Sequence, residues 1–321
     1  MNGLAQTVLA HVQAKGAGRI CPRDYIYEPS VLARPADFVV DTLYAVGGLY
    51  GNTEALKTVN RLAAIEGATL VFNGDFHWFD AEKQWFAEIE RAVAPHRALR
   101  GNVETEISRV DDIGAGCGCA YPERVTEAVV RRSNTILARL RALAPGAART
   151  RMRILPMHLV IQIGGLRVAV VHGDARSLAG WHFAREGLDD PGGRSWLEDV
   201  RAASNIDIFA CTHTCDAALR DFRLPSGRMT VINNGAAGMP NFKGMRFGVI
   251  TRIAVTPSPH RTLYGVRRDG IHIDARAIDY DHEAFVARFL QSWPAGSPAY
   301  DSYYRRIVDG PDATLAQAAP R

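Results

Sequence analysis

Short apolar, β-branched runs that each stop at a glycine or a polar residue set the rhythm of this chain. The run 68–72 ends in Asn73-Gly74-Asp75, the run 97–100 in Gly101-Asn102-Val103-Glu104, the run 168–171 in His172-Gly173-Asp174, and the run 207–210 in Cys211-Thr212-His213. Each reads as a buried strand that delivers a polar side chain at its C-terminal edge, where α/β sheets place their ligands. Asp, Asn, His and Cys are metal-ligating types, and four strand ends carrying them point to one shared pocket.

Between these strands the period changes. Residues 53–65 place Leu56, Val59, Leu62 and Ala63 on one helical face, with Thr53 as the expected N-cap. With the strands 42–46 and 69–73 this makes a β–α–β unit. Further helices are expected over 80–93, 123–143 and 283–293, a hairpin over 159–171 turning at Gly164-Gly165, and strands over 229–232, 247–255 and 263–278. A helix over 4–14 opens an N-terminal arm punctuated by Pro22, Pro29 and Pro35. Three units follow: residues 1–36 as a helix and arm packing on the core, 37–280 as the main domain, and 281–321 as a C-terminal helix and a tail disordered beyond Gly310. The Gly/Cys-rich loop 111–122 is long for a compact domain, and such loops often line sites.

Composition narrows the class. The net charge is +4, and the basic residues are nearly all arginine, with lysine only at Lys15, Lys57, Lys83 and Lys243. Basic and acidic residues are interspersed and no basic run carries interleaved aromatics, so nucleic acid is not the expected partner. Five cysteines, an odd number, argue against a secreted disulfide framework. No apolar run is long enough to span a bilayer, and the first residues lack a secretory pattern, so a cytoplasmic protein without membrane contact is expected.

The order Gly-Asn after the first strand, Gly74-Asp75, Gly101-Asn102-x-Glu104, His172-Gly173 and Thr212-His213 resembles the calcineurin-like metallophosphoesterase superfamily over roughly residues 42–244. The resemblance implies an α/β fold, a two-layer β-sandwich flanked by helices, with two metal ions where the strands end. It also implies that Asn234-Gly235-Ala236 is the turn following the last ligand.

Residue by residue, the likeness is incomplete. The family's first strand ends Asp-x-His-Gly-Asn, and here Gly48 and Tyr50 stand where the first metal's Asp and His would be; Gly51-Asn52 remain, and Asn52 is placed on the substrate side. Asp75 matches the carboxylate that bridges both metals, Asn102 and His172 match second-metal ligands, Cys211 falls at another, and His213 at a first-metal position, with Asp75 and His213 also counted among the expected catalytic residues. Val103 replaces the customary proton-donating histidine, leaving His77 as the candidate acid. Arg176, four residues past His172, is the candidate for holding a substrate phosphate, although a solvated arginine is the more frequent outcome at such a position. Cys211 reads either as a ligand or as a small buried apolar residue.

The ligand set Asp75, Asn102, His172 and Cys211 implies one divalent ion rather than two, Zn, Fe or Mn, the thiolate favouring the softer ions. A second ion would need help from His77, Glu104, Asp174 or the Cys117/Cys119 pair. The expected activity is hydrolysis of a phosphomonoester or phosphodiester on a phosphorylated small molecule or nucleotide. The alternative is a catalytically degenerate phosphoesterase fold that binds a ligand or partner protein.

Overall fold

A computed structural model describes residues 16–320, so the expected helix over 4–14 lies outside the described residues. Two six-stranded sheets face each other. One runs β1-β5-β6-β7-β9-β8, built from β1 (Phe38–Val39), β5 (His158–Ile163), β6 (Leu166–Val171), β7 (Ile208–Cys211), β8 (Ala218–Leu224) and β9 (Gly227–Asn233). The other runs β11-β12-β10-β2-β3-β4, from β2 (Thr42–Val46), β3 (Thr69–Asn73), β4 (Arg97–Leu99), β10 (Gly248–Ala254), β11 (Tyr264–Arg268) and β12 (Ile271–Ile278).

Side-chain alternation divides each strand between two cores. Leu43, Ala45 and Val71 meet Val168, Val170, Ile208 and Ala210 between the sheets. Tyr44, Val46, Leu70 and Phe72 point the other way, against helices that include Thr53–Glu66, Lys83–Val93 and Glu127–Leu143. On the far side Ala169, Val171, Phe209 and Cys211 pack under helix Arg194–Ser204 with Leu197 and Val200. The result is the helix-flanked β-sandwich expected from the sequence.

The parallel pairs β2–β3, β3–β4, β6–β7 and β7–β9 end at the same edge. That edge therefore gathers residues 47–52, 74–77, 101–104, 172–174, 211–215 and 234–236. Asn234 ties it together, its amide donating to the carbonyls of Gly47 (3.0 Å) and Val249 (2.8 Å). Asn52, not Thr53, caps the first helix: its Oδ1 accepts from the Ala55 N–H at 3.0 Å and its amide donates to the Gly238 carbonyl at 2.8 Å.

The chain after Gly310 departs from expectation. Thr314 caps a turn of helix, Leu315–Ala318, and Arg220 donates to the carbonyls of Gln317, Ala318 and Ala319. Three carbonyls held by one guanidinium order a segment whose composition alone reads as loose. Helix Pro298–Asp309, capped by Ser297 and started by Pro298, packs through Ala299 and Ile307 into the same core as Phe285, Phe289 and Trp293.

Candidate metal centre

His172, directly after β6, is fully buried. Its Nδ1 lies 2.9 Å from the Asn73 carbonyl, which can only accept, so Nδ1 carries the proton and Nε2 presents a lone pair. Around that Nε2 stand Asn102 Oδ1 at 3.2 Å, His213 Nδ1 at 3.2 Å and Asp75 Oδ1 at 3.4 Å.

Each of these is a lone pair as well. The Asn102 amide nitrogen donates to the Cys117 carbonyl at 2.9 Å, which turns Oδ1 inward. His213 Nε2 lies 3.1 Å from the Cys119 carbonyl, so its proton sits there and Nδ1 is free to ligate. Four electron pairs then converge, an arrangement that calls for a cation among them: a metal ion, or a proton on His172, whose pKa burial would lower but Asp75 raises. For His213, burial and then the neighbouring His172 push the pKa down to about 4, which keeps it neutral and able to coordinate.

The spacing fits a small divalent ion. A tetrahedron with bonds of about 2.0–2.1 Å has edges of about 3.3–3.4 Å, and the three distances from His172 Nε2, 3.2, 3.2 and 3.4 Å, match the edges meeting at one corner. Ligating atoms of Asp75, His172 and His213 all lie within 4.8 Å of one another.

Close approach of the strand ends requires glycine. A Cβ on Gly101 would stand 2.3 Å from Asp75 Oδ1 and 2.7 Å from His172 Cε1, and one on Gly74 would stand 2.6 Å from His172 Nδ1. Glu104 shapes the turn rather than joining the cluster. Its two oxygens accept the N–H groups of Asp75, Phe76, His77 and Gly101 at 2.8–3.4 Å. Burial and the adjacent Asp75 push its pKa up to about 7.

Cys211 does not reach the cluster. Alternation along β7 puts Ala210 between the sheets and Cys211 on the opposite face, packed with Phe183 and Phe209, its thiol directed at the Ile232 carbonyl 3.7 Å away. His213 takes its place, reaching His172 from beyond the strand end.

His77 is also elsewhere. Its nitrogens meet Asp80 Oδ2 (2.5 Å) and Glu90 Oε1 (2.9 Å), and its ring stacks on Phe86 at 3.8 Å. Asp75, with φ +51°, turns the chain so sharply that a side chain two residues on leaves the cleft. Asp174 is engaged by the N–H groups of Arg176, Ser177 and His182. Arg176 is half-buried, donates to Glu28 at 3.3 Å, and lines a different cavity with Cys21 and His182. Asn52 has both ends of its amide committed to backbone groups, so neither is left for a substrate.

Tyr50 fills the place of the absent first-metal ligands. Its ring lies over Gly48, where a Cβ would be 2.9 Å from Cε2, and its hydroxyl meets Cys215 Sγ at 2.8 Å. The Gly/Cys loop contributes through its backbone, the carbonyls of Cys117 and Cys119 orienting Asn102 and His213. Residue types in a sequence do not disclose such a role, because every residue has a carbonyl.

The His77 network carries a stability prediction. Burial would lower the His77 pKa, but Asp80 and Glu90 overcome it and hold it at about 9, above the ordinary 6.5. Glu90 is held near 2, below the ordinary 4.5, by His77 and Arg151 against burial. The first contribution is complete below pH 6.5 and lost as pH rises through about 9; the second is complete above pH 4.5 and lost as pH falls through about 2. His77→Gln is therefore expected to lose most stability between pH 4.5 and 6.5, with the deficit shrinking towards pH 9, as read by urea midpoints. Turnover per folded molecule is expected to stay within about threefold, well short of the hundredfold or more that losing a general acid costs.

Neither a protein-family model nor a curated protein matches the chain. Among solved structures it is similar to a hypothetical protein of Pyrococcus horikoshii OT3, with TM-score 0.58 and 17% identity over 86% of this chain and 100% of that one. It is also similar to a metallophosphoesterase from Sphaerobacter thermophilus, with TM-score 0.51 and 16% identity over 84% of this chain and 100% of that one. The fold is that of the calcineurin-like metallophosphoesterases. At such identities the likeness defines the fold, and activity has to rest on the site. Among the described residues no helix is long and apolar enough to cross a membrane.

Proposed function

We propose that this chain is a metal-dependent phosphoesterase working with one divalent ion held by Asp75, Asn102, His172 and His213. The convergence of Asn102, His213 and Asp75 on His172 Nε2 at 3.2–3.4 Å carries this reading. With Cys211 outside the donor set, two nitrogens and two oxygens remain, a mixture suited to Zn²⁺, Fe²⁺ or Mn²⁺ without the bias a thiolate would add. A second ion finds fewer donors among the described residues: Tyr50 covers Gly48, His77, Glu104 and Asp174 are spent on other partners, and of the Cys117/Cys119 pair only Cys119 lines the cavity.

When bound, the ion supplies Lewis acidity toward phosphate oxygens and toward water. The chain supplies the rest. Asp75 provides the negative charge of the donor set. Asn73, Cys117 and Cys119 fix the orientation of the neutral ligands through their carbonyls. Trp78, Tyr121 and Trp181 wall the cavity over the site and exclude bulk water.

Val103 occupies the position of the family's proton donor, and among the described residues the cavity is lined by no histidine other than the ligand His213. On this reading the leaving oxygen departs without a proton from a histidine. Rates on a series of aryl phosphates, measured with Mn²⁺, Fe²⁺ or Zn²⁺, are expected to rise steeply with leaving-group acidity, p-nitrophenyl phosphate far ahead of phenyl phosphate. A flat series would mean that a protein acid operates. Tyr50 and Val103 are also what a ligand-binding relative that has lost catalysis would carry. Metal-loaded protein that turns over no ester in the series would favour that second reading.

A further inference from the structure

The cavity over the metal centre is bordered by the helix Pro298–Asp309, which contributes Ser302, Tyr303 and Arg306 to a lining shared with Asp75, Asn102 and His213. Among the described residues Arg306 is the one lysine or arginine lining it. Ser302 and Arg306 are four apart on the helix and share a face.

Both carry buried polar atoms without a partner, Ser302 Oγ and Arg306 Nε. A buried hydrogen-bonding group left unmatched costs about 1–3 kcal/mol, more when it is charged, so such atoms call for an explanation. The guanidinium is anchored by one bond, Nη2 to the Cys215 carbonyl at 3.0 Å, and among the described residues it has no carboxylate partner. Ser302 and Arg306 also line an outer cavity on the other side of the helix, but there the charges are matched in pairs, Lys243 with Asp312 at 3.0 Å and Arg305 with Asp309 at 4.0 Å. The uncompensated charge belongs to Arg306.

Size and charge narrow the ligand. The cavity holds about 200 Å³, below the roughly 300 Å³ at which drug-sized ligands begin. A divalent ion, Asp75 and Arg306 together carry a charge of about +2, which a phosphomonoester dianion balances and a diester monoanion does not. Arginine suits the forked oxygens of a phosphoryl group.

We infer that Ser302 and Arg306 form the phosphoryl-binding subsite and that the substrate is a small phosphomonoester, an inference that rests on the phosphoesterase reading of the metal centre.

Isothermal calorimetry of metal-loaded full-length protein with inorganic phosphate tests it, with metal content and thermal midpoint recorded for every variant. Arg306→Gln is expected to weaken phosphate binding about 10- to 100-fold, Ser302→Ala a few-fold, and Arg306→Lys less than Arg306→Gln, all with one ion retained. In turnover, KM for phenyl phosphate is expected to rise in Arg306→Gln more than KM for bis(p-nitrophenyl) phosphate. If wild type binds phosphate and both Arg306→Gln and Ser302→Ala, still folded and metal-loaded, bind it equally well, the subsite is refuted while the metal centre stands. If metal-loaded wild type binds no phosphate, the phosphoesterase reading falls and the subsite with it.

Discussion

Asp75→Ala is expected to lower turnover on the order of 10³-fold and to leave the protein folded but unable to retain its ion. Asp75 is the one anionic donor in the cluster, with its Oδ1 3.4 Å from His172 Nε2. Without it a divalent ion would be held by two imidazoles and an amide, none of them charged. Several kcal/mol of transition-state stabilisation depend on that ion, and each 1.36 kcal/mol is a factor of about ten in rate. The alanine also frees the Val103 N–H, which Asp75 Oδ1 accepts at 3.3 Å, so a modest loss of stability accompanies the loss of activity. Elemental analysis beside a phosphatase assay reads both. Retention of full metal content and activity in Asp75→Ala would remove this residue from the site.

The second large effect concerns the fold. Arg252→Ala is expected to cost about 3–5 kcal/mol, the range found when one member of a buried ion pair is removed. Arg252 is fully buried on β10, where its guanidinium donates to Glu66 through Nε at 2.7 Å, to Asp274 at 3.1 Å and to the Thr256 carbonyl at 3.0 Å. The register places Arg252 opposite Tyr44 on one side and Asp274 on the other, so the charge crosses three strands of the sheet and the first helix. Arg276 also reaches Glu66, at 3.3 Å, but among the described residues Arg252 is the one side chain bonded to Asp274. Burial already raises the Asp274 pKa and Arg252 works against it, so without the arginine Asp274 would be driven to take up a proton. The urea midpoint is expected to drop with an unchanged slope. A shift below about 1 kcal/mol would show that water or Arg276 takes over the pairing.

Much of this centre is legible in the sequence because strands announce their own ends. Asp75, Asn102, His172 and His213 each follow an apolar run, and parallel neighbours bring such ends to one edge. The glycines beside them reflect space: Gly74 and Gly101 stand where any Cβ would push into His172 or Asp75.

What the sequence conceals has three physical origins. Cys211 is a matter of strand parity, because the alternation that sends Ala210 between the sheets sends the thiol to the helix layer. A ligand position taken from family resemblance overrides that parity only if the backbone twists to allow it, and here it does not. His77 is a matter of turn direction, decided by the left-handed Asp75 and by Asp80 and Glu90 waiting on the far side. The carbonyls of Asn73, Cys117 and Cys119 and the C-terminal helix with Arg306 are matters of tertiary closure. The start of that helix is readable in Ser297-Pro298, but where it docks depends on contacts more than two hundred residues away in the chain, such as the Trp293 indole bonded to the Phe79 carbonyl.

The most direct measurement is diffraction from metal-loaded crystals with anomalous data at the zinc, iron and manganese edges. One ion per chain is expected, bonded to Asp75, Asn102, His172 and His213, with Tyr50 still over Gly48 and the Cys211 thiol outside the coordination sphere. Two ions about 3.5–4 Å apart, a bond from Cys211, or an ion bound elsewhere with these four side chains turned away would contradict the single-metal centre.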